Sequence, residues 1–304
     1  MTNMSMNVSA FEKTERKRAR VHGGAGASDS KPVAVITGAS RGLGLELARA
    51  LALDGWKLVI TARTAADLEL AAAELRQVTE VAALAGSVVD DDHRAELAHA
   101  AAELGGADLL VNNASTLTGY ELGGAAMPAL ADFPLPGLLE TFEVNILGPV
   151  ALTQLLLPQL RQHSGAIVNV SSDAAVESYA GWGGYGASKA ALDHASATLA
   201  AEEPQVQVWS VDPGDMRTRM HEEAAPGEDL SDLPLPESVV PAFRALLRDW
   251  PQSGRYTAAD LLKRADLSPS AAFGSTALEN TASENNTASE NTALENTAEK
   301  AGAR

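Results

Sequence analysis

The sequence predicts a single-domain α/β fold with a doubly wound parallel sheet, on three observations. From residue 32 onward short apolar runs alternate with segments of helical periodicity; several of those runs are continuously apolar; and a glycine-rich turn separates the first run from the first helical segment. Continuous apolar runs mark strands covered by helices on both faces, and strict strand–helix alternation marks parallel crossovers.

Pro32-Val-Ala-Val-Ile36 is the first strand, ended by Thr37-Gly38. Leu43 to Asp54 then places Leu43, Leu47, Ala50 and Leu51 on one helical face, and Gly55 stops that helix. Lys57-Leu-Val-Ile60 is the second strand, Ala65 to Val78 a helix, Val81 to Ala85 a strand, Asp92 to Leu104 a helix and Asp108-Leu-Leu-Val111 a strand. One long helix is expected from about Pro136 to Gln162, followed by a strand at Ala166-Ile-Val-Asn-Val170, a helix from Gly186 to Glu202 and a strand at Val206 to Val211. In such a Rossmann-type sheet ligands bind beyond the carboxyl ends of the strands, so functional residues are expected just after each apolar run.

Both ends read as appendages to a domain at residues 32–265. Residues 1–31 carry six Lys/Arg against three Asp/Glu and read as a disordered basic leader; a nucleic-acid arm is the less favoured reading of so short a run. Residues 266–304 contain the repeats Thr276-Ala-Leu-Glu-Asn280, Thr281-Ala-Ser-Glu-Asn285, Thr287-Ala-Ser-Glu-Asn291 and Thr292-Ala-Leu-Glu-Asn296. A five-residue period so poor in apolar side chains cannot offset its ordering entropy, which predicts a disordered tail and not a solenoid.

The composition narrows the chemistry. Of 304 residues 45% are hydrophobic and 21% charged, as in ordinary globular proteins, and zero cysteines exclude disulfides, thiolate metal sites and thiol nucleophiles. The net charge of −17 is carried by the body between the two ends, which makes nucleic acid a poor partner. No apolar run is long enough to span a membrane and no apolar leader opens the chain, so a cytoplasmic protein without a membrane partner is expected.

Thr37-Gly-Ala-Ser-Arg-Gly-Leu-Gly44 places Gly38, Gly42 and Gly44, with Ser40, Arg41 and Leu43 between them, in a strand-to-helix turn. Glycines there permit a tight turn and close backbone approach, while the helix start offers free N–H groups and a positive dipole to a pyrophosphate. The spacing is not G-x-G-x-x-G, and no P-loop Lys is present. After the second strand, Thr61-Ala62-Arg63-Thr64 has no acid to bind ribose hydroxyls, whereas Arg63 with Arg41 can grip a 2′-phosphate. This favours NADP(H), with NAD(H) the lesser choice. Farther on, Tyr185 and Lys189 stand four apart on a helix, where a neighbouring ammonium is expected to lower the phenol's pKa and make it a general acid or base.

Taken together, the glycine turn, Asn112-Asn113-Ala114, Asn145, Ser172, Tyr185-Gly-Ala-Ser-Lys189 and Pro213-Gly214 make the chain resemble the short-chain dehydrogenase/reductase family over about residues 32 to 265, in its shorter-core branch. The resemblance implies hydride transfer between NADP(H) and a carbonyl/alcohol substrate. By it Tyr185 exchanges the substrate proton, Lys189 tunes Tyr185 and holds the nicotinamide ribose, Ser172 hydrogen-bonds the carbonyl oxygen and Asn145 holds a relay water. The cofactor set it implies adds Asn113, Ala114, Pro213, Gly214 and Thr218, the last toward the carboxamide. It also implies a homodimer or homotetramer. Two departures stand out: Ser115 replaces the usual Gly after Asn-Asn-Ala, and Ser87-Val88 stands where an Asp often precedes the adenine contact, leaving Val88 to make it.

Several residues read otherwise. Tyr179 has no Lys four residues on, and Ser171 falls one position early, so both are expected to be structural. His221-Glu-Glu223 has no metal-ligand spacing, and the segment Arg217 to Pro236 reads as an acidic, Pro-rich lid; no metal is expected. Gly186-Ala-Ser-Lys-Ala190 lacks the second glycine of a hydrolase elbow. Leu117, Tyr120, Leu122, Met127, Leu130 and Phe133 suggest an apolar pocket wall or loop packing, and Trp182 a further pocket residue or a structural one. The alternative to an enzyme is a catalytically silent dinucleotide-binding sensor or scaffold, which would have no chemical need for Asn145, Ser172, Tyr185 and Lys189 together.

Overall fold

The computed structural model describes residues 31–117 and 127–266. Seven strands form one parallel sheet in the order β3-β2-β1-β4-β5-β6-β7. They are β1 (Val33–Thr37), β2 (Lys57–Ala62), β3 (Val81–Ala85), β4 (Leu109–Asn112), β5 (Ala166–Val170), β6 (Gln207–Asp212) and β7 (Gly254–Thr257). The helices between them are α1 (Gly42–Leu53), α2 (Ala65–Leu75), α3 (Asp91–Glu103), α4 (Leu135–Phe142), α5 (Gly148–His163), α6 (Gly183–Glu202), α7 (Arg219–Ala224), α8 (Val240–Asp249) and α9 (Ala258–Asp266). The doubly wound sheet is therefore as expected. The basic leader up to Ser30, the repeat tail from residue 267, and Tyr120 and Leu122 lie outside the described residues. By compactness the chain divides into residues 1–261 and 262–304, and of the second unit only 262–266, the end of α9, are described.

All five residues of β1 and of β5 are buried, which is why their sequences show no polar alternation. On one face Leu97 and Ala101 of α3 and Leu152, Leu156 and Leu160 of α5 pack with Val33, Val35, Leu110, Ile167 and Val208 of the strands. On the other, Leu47 and Leu51 of α1 and Phe243 and Leu247 of α8 are buried. Burying each such side chain contributes about 1.5–3 kcal/mol, and the result is a rigid platform whose strand ends all point one way.

Three differences from the sequence reading have local causes. The second helix stops at Leu75, three residues early, in a turn where Val78 N–H donates to the carbonyl of Leu75. The single helix expected over 136–162 is two helices joined by a π-helical turn at Glu143–Leu147. Pro149 has no N–H to give the carbonyl of Asn145, so the α-helical ladder cannot pass through this point, and one extra residue per turn is accommodated. The third is β7, with α8 and α9 beside it, which short mixed runs left unassigned. Arg255 of β7 fixes that strand by donating to Asp212 Oδ2 at 3.2 Å and to the Ser172 carbonyl at 2.9 Å.

The end of α8, just before β7, also completes an aromatic pair. Trp209 of β6 is fully buried, meets Trp250 edge-on at 5.1 Å and donates Nε1 to the Pro251 carbonyl at 3.1 Å. Trp250 ends α8 in the left-handed region, φ 47°, a conformation costing an L-residue about 1–2 kcal/mol that burial of its indole offsets. Trp209→Ala is expected to cost about 3–5 kcal/mol. The check is the urea midpoint; a loss under about 1 kcal/mol would show that the pair does not anchor this edge.

Candidate active site

The cleft lies over the carboxyl ends of the strands, has a volume of about 1270 Å³, and runs from the glycine turn to the start of α6. At its centre β1 and β4 end side by side and their crossovers depart to opposite faces, the point where a doubly wound sheet opens. Thr37 Oγ1 accepts from the N–H groups of Asn113 and Ala114, both at 3.0 Å, while Asn113 Nδ2 donates to the carbonyls of Thr37 at 2.9 Å and Gly38 at 3.1 Å. Asn112 joins the next pair of strands by donating to Asn169 Oδ1 at 2.8 Å. The paired asparagines therefore lace the strand ends together, as the sequence suggested.

The glycine turn fits a dinucleotide by its shape. Gly38 has φ +67°, and a side chain on Gly44 would drive its Cβ into the Gly38 carbonyl oxygen, so the first turn of α1 comes closer to the strand end than any Cβ allows. Arg41, the N-cap residue, makes no side-chain cap to α1, which leaves the first-turn amides available to a phosphate. Ser40, Gly42 and Leu43 line the same wall. Arg41 and Arg63 are exposed on the cleft, with Arg41 Nη1 3.8 Å from Asp67 Oδ2. Val88 lines the cleft beyond β3, where its carbonyl accepts from Arg94 Nη1 at 2.6 Å. Beneath it His93, buried and held by Thr61 Oγ1 at 2.8 Å, has its pKa lowered by desolvation. At the far end Pro213 and Gly214 line the cleft, and Thr218 caps α7 by accepting from the His221 N–H at 3.3 Å. The Thr218 hydroxyl keeps its own proton to donate.

Tyr185 and Lys189 project from the first turns of α6. Both are buried, with Lys189 Nζ 5.5 Å from the phenol ring and donating to the Val170 carbonyl at 2.7 Å. The hydroxyls of Ser172 and Ser115, which donate to Asp173 and Asn145, also lie near enough to the Tyr185 phenol to favour its ionised form. The expected charge effect changes sign here. Burial pushes the phenol well above its usual range, and Asp173 and Asp212 add to that, outweighing the two serines; the expected lowering by Lys189 is not what the protein's own groups produce. The ammonium is the group brought down: burial lowers Lys189 to about 8, against Asp193, which raises it.

Asn145 sits in the π-helical turn, 1% exposed, with its amide fully used. Oδ1 accepts from Ser115 Oγ at 3.0 Å and Thr116 N–H at 2.9 Å, and Nδ2 donates to the Thr116 carbonyl at 2.8 Å and Ser188 Oγ at 3.0 Å. Its side chain is therefore a brace, with both amide protons given and both lone pairs of Oδ1 taken, so it has nothing left over for a water.

Ser171 is structural as expected, buried and donating to Asp193 Oδ2 at 2.8 Å. Ser172 donates to Asp173 Oδ1 at 2.9 Å, and Tyr179 donates to Asp173 Oδ2 at 2.9 Å, a bond that raises Tyr179 to about 12. Sequence reasoning passed over Asp173 and Ser188, whose one signal was their adjacency to residues already singled out, and noted Ser115 only as a departure from the family pattern. Leu117 lines the cleft and Met127 packs beside it. Phe133 and Leu130 instead cover Gly184 and Gly183 at the start of α6. Trp182 does line the cleft, edge-on to Tyr185 at 5.7 Å. His221 stands on α7 with its ring 3.9 Å from Asp215. Among the described residues no helix is long and apolar enough to cross a membrane.

A parallel sheet opened at its switch point, a phosphate-ready helix start and a buried Tyr-Lys pair define a dinucleotide-binding oxidoreductase. The sequence model for short chain dehydrogenases matches residues 32–229, and the chain belongs to that family. It is 38% identical over 188 residues to a serine 3-dehydrogenase of Agrobacterium fabrum, covering 60% of this chain and 72% of that one. A short-chain dehydrogenase of Streptomyces avermitilis shares the fold with TM-score 0.67 and 29% identity, over 79% of this chain and 96% of that one. An alcohol dehydrogenase of Thermococcus sibiricus, complexed with 5-hydroxy-NADP, does so with TM-score 0.66 and 30% identity, over 74% and 95%.

Lys189 also leaves a signature in stability. An unfolded Lys titrates near about 10.4, so with its folded value at about 8 the unfolded chain holds more protons between those limits, and stability rises with pH across that window. Tyr185, raised, acts above about pH 10, where its contribution is lost. Between pH 7.5 and 9.5 the protein is expected to gain about 1–2 kcal/mol relative to Lys189→Met. Urea midpoints at the two pH values measure it, and parallel curves would refute the buried-ammonium reading.

Proposed function

We propose that this short-chain dehydrogenase is an NADP(H)-preferring carbonyl reductase or alcohol dehydrogenase with Tyr185 as its general acid and base. The observation that carries the reading is the Tyr185 hydroxyl, buried at the cleft wall with two serine hydroxyls near it and an ammonium behind its ring. A phenol held protonated at neutral pH is suited to donate to a carbonyl oxygen as charge develops there, which is where stabilisation accelerates a reaction.

The bound nicotinamide ring supplies or accepts the hydride. Every other part falls to the chain. Gly38, Ser40, Gly42, Leu43 and Gly44 receive the pyrophosphate, Arg41 and Arg63 the 2′-phosphate, Val88 the adenine, and Asn113, Ala114, Pro213, Gly214 and Thr218 the nicotinamide end. Tyr185 gives its proton to the carbonyl oxygen in reduction and takes it back in oxidation. Ser172 turns its proton from Asp173 to the same oxygen. Lys189 holds the ribose and passes protons onward through a relay water held near Asn145.

The catalytic unit spans residues 32–265, with 1–31 and 266–304 as appendages, and works in the cytoplasm on a small-molecule substrate. Exposed Leu135, Leu139, Leu147 and Leu155 along α4 and α5 support assembly as a homodimer or homotetramer through that face.

Tyr185→Phe is expected to lower kcat by at least about 10²–10⁴-fold while NADPH still raises the thermal midpoint, by about 2.7 kcal/mol at 100 times Kd. Equal loss of turnover and cofactor binding would sink the assigned role. The double variant Arg41→Ala, Arg63→Ala is expected to weaken NADPH by at least about 100-fold and NADH hardly at all, since each of the two charge-assisted phosphate contacts contributes about 1.5–3 kcal/mol. Titration of both cofactors tests this, and an unchanged preference would refute the phosphate clamp.

A further inference from the structure

Apolar residues from four separate stretches of chain gather beside Tyr185. Leu117 follows β4, Ala174 follows β5, Trp182 precedes α6, and Met220 and Ala224 lie on α7; with Met127 they pack into one cluster that includes Tyr185. Trp182 meets the phenol ring edge-on and leaves a face on the cleft, and Met220, half-buried, lines the cleft beside it. A flat indole with a flexible thioether nearby forms a slot for an aromatic or branched apolar group. Such a group would seat with its neighbouring carbonyl at the Tyr185 hydroxyl.

Charge at the mouth argues in the same direction. The acids on the cleft wall include Asp173, Asp215, Glu223 and Glu228. Of the cations there, Arg219 is engaged by Glu223 at 2.9 Å and Lys189 by the Val170 carbonyl, while Arg41 and Arg63 stand at the adenosine end. A substrate carboxylate would therefore enter past several negative groups and have Arg217 alone to turn to.

We infer that the substrate is an uncharged carbonyl compound bearing an aromatic or branched apolar group, seated between Trp182 and Met220, with these two residues setting specificity. This rests on the oxidoreductase reading above and deepens it.

Three probes separate size from charge: methyl phenylglyoxylate, methyl pyruvate and phenylglyoxylate. Each is assayed by NADPH oxidation with the full chain, alongside thermal shift with NADPH. The expected result is a kcat/KM for methyl phenylglyoxylate about 30-fold above methyl pyruvate, the worth of a phenyl group in a fitted slot, and at least about 10-fold above the free acid. Trp182→Ala and, independently, Met220→Ala should each shrink the ratio between the two esters by more than about 5-fold. A free acid used as well as its ester, or an ester ratio that neither substitution moves, would overturn the proposal. A thermal shift with NADPH but no turnover of any probe would overturn the substrate class and leave the oxidoreductase reading standing. No shift and no turnover would overturn both.

Discussion

The site depends first on how β1 and β4 are joined. These neighbours send their crossovers to opposite faces of the sheet, so the cleft between them would gape if their ends could separate. One hydroxyl, Thr37 Oγ1, accepts two amide protons from the start of the β4 loop, and one amide, Asn113 Nδ2, closes onto two carbonyls of the glycine turn. The same Asn113 Nδ2 occupies the space a side chain on Gly44 would need. A single clamp therefore sets both the spacing of the strands and the height of α1 above them, and with it the position of the phosphate-facing amides. Asn112 repeats the device one strand over, so the β5 loop with Ser171 and Ser172 is positioned relative to the same frame.

Around Tyr185 the governing influence is desolvation. Interaction with an ammonium favours phenolate, but Lys189 is itself buried, with one hydrogen bond donated to a main-chain carbonyl, and burial lowers its pKa. The net effect is a phenol held protonated beside an amine poised to release its proton near pH 8. That is an arrangement for donating to a carbonyl and being recharged from behind. Asp173 adds negative charge next to the phenol while tethering Ser172 and Tyr179, which orders the rim without drawing the proton away.

Much of this was legible in the sequence because the informative residues were punctuation. Glycines, paired asparagines and a Tyr-Lys spacing stand at strand ends, where backbone geometry leaves few alternatives, and the continuous apolar runs gave six of the seven strands. What could not be read lies where tertiary contacts decide. The π-helical turn at Asn145 depends on Pro149 together with Thr116, Ser115 and Ser188, which approach from distant parts of the chain. β7 is four residues long and carries one exposed and three half-buried positions, so no periodicity announces it; its place is set by Arg255. The sign of the Tyr185 shift likewise required burial, which spacing alone does not reveal.

Arg255 has a consequence for how the protein can be remodelled. It stands beyond residue 229, where the family match ends, yet reaches back to the Ser172 carbonyl and to Asp212. Residues 217–235 thus form an insert between two buried positions, Asp212 before and Pro236 after. Exchanging that insert for another would change the chamber over Tyr185 and leave the bracing of the serine loop in place. A chain cut before Gly254 would keep every motif residue and lose that brace.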